Sequence, residues 1–132
     1  MYTKVDRPSV EKMVRSFYAL LVKDDLVGPF FIKKLGDDLK NERWLDHYKT
    51  LDSFWLLMMT GELGYAGDPF FPHVGLGELT PEIFQRWLDV FDAHIRSLFI
   101  PEIADKFYKK SETLADSFMQ GLEVGKYAED DD

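Results

Sequence analysis

The sequence predicts an all-α protein with a single domain. Apolar residues recur at helical spacing in four long segments, and proline and glycine separate these segments. No stretch alternates apolar and polar residues convincingly, so no sheet is predicted. A chain of 132 residues is long enough to bury a core without disulfides. We expect one domain over residues 1–126 and an acidic, disordered tail over residues 127–132.

The composition excludes several functional classes. The net charge of −8 repels phosphate backbones, so nucleic-acid binding is disfavoured. The chain has no cysteine, which excludes disulfides, zinc–thiolate sites, iron–sulfur clusters and cysteine nucleophiles and is compatible with the cytosol. The runs FYALLV and FWLLMM are too short to span a bilayer, and MYTKVDRPSVEK has no apolar signal core. We therefore expect a cytoplasmic protein without a membrane partner.

The first part of the chain predicts one long helix and one brief helix. Pro8 suits a first helical turn, and the glycine at position 28 lies just beyond the expected end of this helix. The aromatic segment GPFFIKKLG, residues 28–36, predicts a turn followed by a short helix. The apolar stripe of the long helix consists of Val10, Met13, Val14, Phe17 and Leu21.

A second long helix is predicted from about Asn41 to Thr60. Asn41 is suited to cap its start, and Gly61 is suited to end it. The next segment, GELGYAGDPFFPHVGLGE, is so rich in glycine and proline that we expect a loop. The apolar stripe of this helix consists of Trp44, Tyr48, Leu51, Trp55 and Met58.

Two further long helices are predicted after the loop. Thr80 is suited to cap the third, Pro81 fits its first position, and Leu79 and Phe84 are placed to form a hydrophobic staple. Pro101 separates the third helix from the fourth. The stripes are Phe84, Trp87, Leu88, Phe91, Ile95 and Leu98 in the third helix, and Ile103, Phe107, Leu114, Phe118 and Leu122 in the fourth.

The histidines are the main candidates for chemistry. The motifs HExxH, GxSxG, GxGxxG and the P-loop are absent, and no histidine follows a glutamate by three residues as a di-iron bundle requires. His73 lies on the predicted loop after Phe70, Phe71 and Pro72. It is either a loop histidine bonded to backbone or a neutral imidazole with apolar surroundings, which is what an iron porphyrin needs.

Four other residues carry polar groups on or beside apolar helical faces. His47 is either a boundary histidine that covers the core or a functional group. Tyr18 and Trp87 each bring one hydrogen-bond donor; they are either core aromatics satisfied by carbonyl groups or donors lining a pocket for a polar diatomic ligand. We interpret His94, near the edge of the third stripe, as structural.

From about Val10 to Leu122 the chain resembles the group III truncated haemoglobins. FY at 17–18, GPFF at 28–31, WLDHYKTLDSFW at 44–55 and PHVGLGELTPEIFQRWLDVF at 72–91 follow the family's order and spacing. The FxRWLxxF pattern is the most specific of these. The paired-glycine motifs of groups I and II are missing, which favours group III. The resemblance implies a shortened globin, a two-over-two helical sandwich around haem b.

The resemblance also implies roles for particular residues. His73 matches the proximal iron ligand, and Tyr18 and Trp87 match distal residues that contact the bound ligand. His47 matches a distal histidine that acts as a gate. The residues implied to contact the cofactor are His73, Phe31, Leu51, Phe70, Phe84 and Trp55. Lys33, Lys34, Arg43 and Tyr48 are candidates for the haem propionates.

The implied function is high-affinity binding of dioxygen, nitric oxide or another small diatomic ligand. Two distal donors predict slow dioxygen release, which suits redox chemistry or detoxification of nitric oxide or peroxide better than bulk transport. A nitric-oxide dioxygenase or peroxidase-like activity would need an electron donor, which the sequence does not identify. The alternatives are a haem-based sensor and a haem-free helical interaction module.

Overall fold

The computed structural model describes residues 1–64 and 80–121, apart from the side chains of residues 118 and 121. Over these ranges the chain forms helices joined by short connections, and the all-α prediction is confirmed. The predicted staple residue Leu79, the segment with Phe70 and His73, the end of the last stripe and the acidic tail lie outside the described residues. The helices are α1 (Arg7–Leu21), α2 (Gly28–Leu35), α3 (Glu42–Thr60), α4 (Pro81–Leu98) and α5 (Pro101–Gly121).

Helix α1 begins at a reciprocal cap. The side chain of Asp6 accepts a hydrogen bond from the Ser9 backbone N–H at 3.0 Å, and the Ser9 hydroxyl accepts one from the Asp6 N–H at 3.0 Å. All five residues of the predicted stripe are buried, at 0–1% exposure, and Tyr18 beside them is buried as well. The periodicity therefore predicted the buried face of this helix correctly.

The turn between α1 and α2 is tight and depends on one glycine. Asp24 accepts hydrogen bonds from the backbone N–H groups of Leu26 and Val27 at 3.0 and 2.9 Å. Gly28 begins α2 so close to the end of α1 that a Cβ atom there would collide with the carbonyl oxygen of Val22. The close approach places α2, with Phe31, beside α1.

Helix α3 has the predicted ends. The side chain of Asn41 accepts from the Trp44 backbone N–H at 2.9 Å, and its amide group donates to the Leu35 carbonyl at 2.8 Å. The indole of Trp44 donates to the Gly36 carbonyl at 2.8 Å, which joins the start of α3 to the end of α2. Gly61 ends the helix with φ 78°, in the left-handed conformation that glycine adopts without strain.

Helices α4 and α5 meet at the predicted proline. The Thr80 side chain accepts from the Ile83 N–H at 3.3 Å, and Pro81 lies in the first turn of α4. The N-terminus crosses the junction, where the Tyr2 N–H donates to the Leu98 carbonyl at 2.7 Å and the Ile100 N–H donates to the Tyr2 carbonyl at 3.1 Å. This pairing covers the α4–α5 connection.

The long helices pack as two pairs. α1 packs most extensively on α3, α4 packs most extensively on α5, and α1 crosses to α4 through a smaller contact. The largest fully buried side chains, including Phe17, Trp44, Phe91 and Phe107, form one core between the pairs. The pairing agrees with the two-layer arrangement expected of a shortened globin. No helix in the described ranges is long and apolar enough to cross a membrane.

Hydrophobic periodicity did not predict the ion pair between α1 and α3. Arg15 donates to both carboxylate oxygens of Asp52, at 3.0 and 3.1 Å, and its guanidinium lies 5.1 Å from the centre of the Tyr48 ring. Asp52 is 2% exposed, so the bidentate contact satisfies a carboxylate that would otherwise be buried without a partner. The ion pair therefore holds α1 against α3 where Arg15 and Asp52 meet.

Candidate functional site

The two predicted distal donors meet between α1 and α4. Tyr18 comes from the C-terminal half of α1 and is 6% exposed. Trp87 comes from the second turn of α4 and is partly buried against the core. Trp87 lies close enough to the Tyr18 hydroxyl to lower the pKa of that group. An indole N–H can only donate, so the Tyr18 hydroxyl oxygen is the group to which it can donate here.

Aromatic rings from three helices surround the Tyr18 ring. The centre of the Phe31 ring on α2 lies 5.3 Å from the centre of the Tyr18 ring, and the centre of the His47 ring on α3 lies 5.2 Å from it. Both rings are edge-on to Tyr18. Phe17 and Trp44 complete the surround at 5.0 and 6.0 Å. The structure therefore brings together the predicted residues Tyr18, Trp87, His47 and Phe31, which are distant in sequence.

His47 lies where α3 faces this cluster. Its ring is edge-on to Tyr18 at 85° and to Trp44 at 81°, with ring centres 5.7 Å apart in the second case. The Trp44 ring is 0% exposed and shields one side of the imidazole from water. Leu51, one turn further along α3, packs against the core as a partly buried side chain.

Trp87 is the outer ring of a stack of three. Phe91 lies nearly parallel to Trp87, with ring centres 5.1 Å apart and planes at 10°. Trp55 lies nearly parallel to Phe91, with ring centres 5.4 Å apart and planes at 14°. Stacking of this kind restricts rotation of the indole.

Two predicted cofactor contacts lie mainly in the core. Trp55 is 4% exposed and contacts Phe54, Phe91 and Phe107. Phe84 belongs to a small buried cluster with Leu88 and Ala115, and Trp87 packs on its edge. Neither shows a ring contact with Tyr18 in the described structure, so their immediate neighbours are those of packing residues.

The predicted iron ligand His73 and its neighbour Phe70 lie outside the described residues. Within the described ranges no group of three or more histidine, aspartate or glutamate side chains is arranged to hold a metal ion. Of the propionate candidates, Lys33, Lys34 and Arg43 are exposed. Tyr48, at 5% exposure, packs instead against Trp44 and beneath Arg15.

Burial controls the protonation of the site. Loss of solvent raises the pKa of Tyr18 well above its ordinary value of 10.0, more than the nearby Trp87 lowers it. The phenol is therefore neutral at physiological pH. A neutral phenol keeps its O–H proton, which it can donate to an acceptor in the site.

His94 has the structural role predicted for it. Its Nε2 lies 2.6 Å from the Ser16 hydroxyl, and its ring stacks on Phe17 at 6.3 Å. Burial, followed by the charge of Lys12, lowers the pKa of His94 below 6.5, so the neutral ring is favoured. His94 lines a solvent-open groove of about 550 Å³ with Leu20, Val90 and Ala93, on the outer side of the α1–α4 contact.

One contact near the site was not predicted. Arg86, which directly precedes Trp87, donates to Asp24 Oδ1 at 2.8 Å. The partners are 62 residues apart, on elements that the sequence alone does not bring together. The FxRWLxxF pattern contains the arginine, but it does not identify the carboxylate.

Comparisons with known proteins agree with this architecture. No family model matches the chain. The Group 3 truncated hemoglobin ctb of Campylobacter jejuni is 26% identical over 121 residues, which cover 92% of this chain and 94% of that protein. The crystal structure of a group III truncated haemoglobin from Campylobacter jejuni superposes with a TM-score of 0.83 at 26% identity, over 92% of this chain and 94% of that one.

The similarity extends over nearly the whole chain in both sequence and backbone. It includes all the helices that carry Tyr18, Phe31, His47 and Trp87. The chain is thus a relative of the group III truncated haemoglobins and has the all-α fold of a truncated globin.

Proposed function

We propose that this chain binds haem b and uses it to hold dioxygen or another diatomic ligand with high affinity. The relationship to a truncated haemoglobin supports a haem globin that binds diatomic ligands. The observation that carries the finer proposal is the buried Tyr18 phenol inside a cluster of aromatic rings, with Trp87 close to its hydroxyl. This arrangement keeps a neutral phenol O–H within a site that excludes bulk water.

The residues present fit such a cofactor. Phe31 offers an aromatic face for a flat ring, Leu51 offers an apolar wall, and His47 stands at the edge of the cluster as a gate. His73 would supply the imidazole ligand, with Phe70 sheltering that bond. When bound, haem supplies an iron atom that takes the diatomic ligand. The protein residues then determine how firmly the ligand is held.

The donor arrangement predicts cooperation between the two distal residues. Trp87 donates to Tyr18, and Tyr18 in turn donates to a ligand that carries negative charge. A hydrogen bond to a charged acceptor is worth about 1.5–3 kcal/mol. Stabilisation of this size slows ligand escape, which suits redox chemistry or detoxification of nitric oxide or peroxide better than bulk transport. Such chemistry requires an electron donor, and the existence of this partner stays a prediction.

Replacement of each donor tests the distal assignment. We expect Tyr18→Phe and Trp87→Phe each to speed dioxygen release by about tenfold or more, since about 1.4 kcal/mol is a factor of ten. Stopped-flow measurement of dioxygen dissociation gives the rates. Tyr108→Phe is the matched control, because it removes a phenol hydroxyl from α5, where its charged neighbours are Glu112 and Asp92. Unchanged rates in both distal variants would contradict the assignment.

Absorption spectroscopy tests the cofactor. The purified chain, grown with ample haem precursor, should show a Soret band at about 400–430 nm, and His73→Ala should lose tight haem binding or alter that band. A normal spectrum in His73→Ala would remove this residue as the ligand. A colourless protein that does not take up added hemin would instead support a haem-free helical interaction module. A ligand-dependent change in association with another protein would support a sensor.

A further inference from the structure

An ion pair joins the end of α1 to α4 beside Tyr18 and Trp87. Arg86 Nη1 lies 2.8 Å from Asp24 Oδ1. Arg86 directly precedes Trp87 on α4, and Asp24 follows Tyr18 by six residues, just beyond the end of α1. The ion pair therefore connects the two segments on one side of the two distal residues.

Asp24 is held in place by backbone groups as well as by Arg86. Its other carboxylate oxygen, Oδ2, accepts from the backbone N–H groups of Val27 and Leu26 at 2.9 and 3.0 Å. The side chain is 13% exposed, whereas Arg86 is 45% exposed. Burial alone would raise the pKa of Asp24, but the hydrogen bonds from Val27, Arg86 and Leu26 outweigh it, and the pKa is lowered. Asp24 is therefore a fixed, charged anchor for α4.

Few polar contacts set the position of α4 against α1. The α1–α4 contact is smaller than either the α1–α3 or the α4–α5 contact. On either side of Tyr18 and Trp87, the described structure shows the Ser16–His94 contact at 2.6 Å and the Asp24–Arg86 contact at 2.8 Å. Aromatic contacts of Phe17 fill the space between them. Apolar contacts tolerate small sliding motions, whereas a hydrogen bond weakens steeply as its angle changes.

We propose that Asp24 and Arg86 are positioning residues, which hold the Trp87 indole in register with the Tyr18 hydroxyl and thereby slow the escape of a bound ligand. The effect on ligand escape rests on the proposed function. The positioning itself concerns two protein side chains and does not depend on haem. Neither residue touches the ligand; both act through the helix turn that carries Trp87.

Two variants break the ion pair from opposite sides. Arg86→Met keeps the length of the side chain and removes its charge. Asp24→Asn keeps one carbonyl oxygen for the Val27 and Leu26 N–H groups, so the turn is preserved while the amide group faces Arg86. Since both remove the same contact, the double variant should resemble either single variant, not their sum.

Arg96→Met is the matched control. Arg96 also lies on α4, is 43% exposed, and donates to carboxylates at 2.8 and 2.9 Å, those of Asp92 and Asp105. It connects α4 to α5, at the end of α4 remote from Trp87. A general loss of stability from breaking an ion pair on α4 would affect this control equally.

The first readout is the indole N–H signal of Trp87 in a proton–nitrogen correlation spectrum of the full chain. The chain has three tryptophans, so Trp87→Phe identifies the signal. The spectrum is recorded on the ferrous carbonmonoxy form, or on the haem-free chain if no haem is bound. We expect the signal to move in Arg86→Met and Asp24→Asn and to stay in place in Arg96→Met. An unmoved signal in the first two variants would overturn the positioning role.

The second readout is the dioxygen dissociation rate. We expect it to rise by roughly two- to fivefold in both ion-pair variants, less than the roughly tenfold rise for loss of a donor, because a misaligned hydrogen bond is weakened and not removed. A moved indole signal with an unchanged rate would overturn the effect on ligand escape. If Trp87→Phe also left the rate unchanged, the distal part of the proposed function would fail, while the positioning of Trp87 would stand.

Discussion

The two ends of α4 bury different kinds of groups. Towards the C-terminal end, Phe91, Ile95 and the adjoining Phe99 are 0–1% exposed and pack among rings such as Phe107. Towards the N-terminal end, the partly buried Trp87 lies close to the hydroxyl of the buried Tyr18. Buried hydrocarbon stabilises a fold without further conditions, whereas a buried polar group needs a partner. The residues at the C-terminal end of α4 therefore serve chiefly to stabilise the fold, whereas those at the N-terminal end contribute to the candidate site.

The largest expected effect is a loss of stability when the apolar core beside the C-terminal end of α4 is damaged. Phe107→Ala should lower the free energy of unfolding by about 3–5 kcal/mol, because it removes a fully buried ring and leaves a cavity. Urea unfolding followed by circular dichroism measures the loss. The folded fraction of this variant should still release dioxygen at the normal rate. A changed rate with little loss of stability would contradict the separation.

A smaller effect on stability is expected for a change in the candidate site, beside the N-terminal end of α4. Tyr18→Phe keeps the buried ring and removes only the hydroxyl, the group that Trp87 approaches. We expect the free energy of unfolding to fall by only about 0.5–1.5 kcal/mol, the usual net contribution of one hydrogen bond. The same urea experiment measures it. A loss as large as that of Phe107→Ala would mean that Tyr18 is chiefly a core residue, and the comparison would fail.

The smallest effect concerns His94, in the C-terminal half of α4. Burial, followed by Lys12, lowers its pKa in the folded chain below 6.5, so the unfolded chain takes up this proton at a higher pH. The contribution of neutral His94 to stability is therefore complete above about pH 6.5 and should be lost as the pH falls through the lower folded pKa. Thermal unfolding from pH 7.5 to 5 should show a smaller decline in His94→Gln, which keeps a polar partner for Ser16. An identical decline would exclude His94 as the cause.

The sequence predicted the helices well because their signals are local. The caps at Asn41 and Thr80 and the left-handed end at Gly61 depend on residues within one turn. Helical spacing likewise identified the buried face of α1. Tyr18, His47 and Trp87 were selected from the sequence as donors beside apolar faces, and their roles followed only from a family resemblance.

Contacts between distant residues could not be predicted in the same way. Helical spacing assigned no partner to Asp52, yet Asp52 is 2% exposed and holds Arg15. Helical spacing likewise assigned no partner to Asp24, although it anchors Arg86. Trp55 and Phe84 were predicted to contact the cofactor, and the described structure gives them mainly core neighbours. In each case the partner lies on another helix, and spacing within one helix carries no information about it.

The sequence by itself determined which segments form helices, where they begin and end, and which faces are apolar, because these properties depend on neighbours within a few residues. The tertiary structure decided that Trp87 approaches the Tyr18 hydroxyl, that Arg86 contacts Asp24, and that Phe31 and His47 contact the same phenol ring. Those pairings depend on how α1, α2, α3 and α4 cross. The crossing is set by the packing of the whole core, which no single segment encodes.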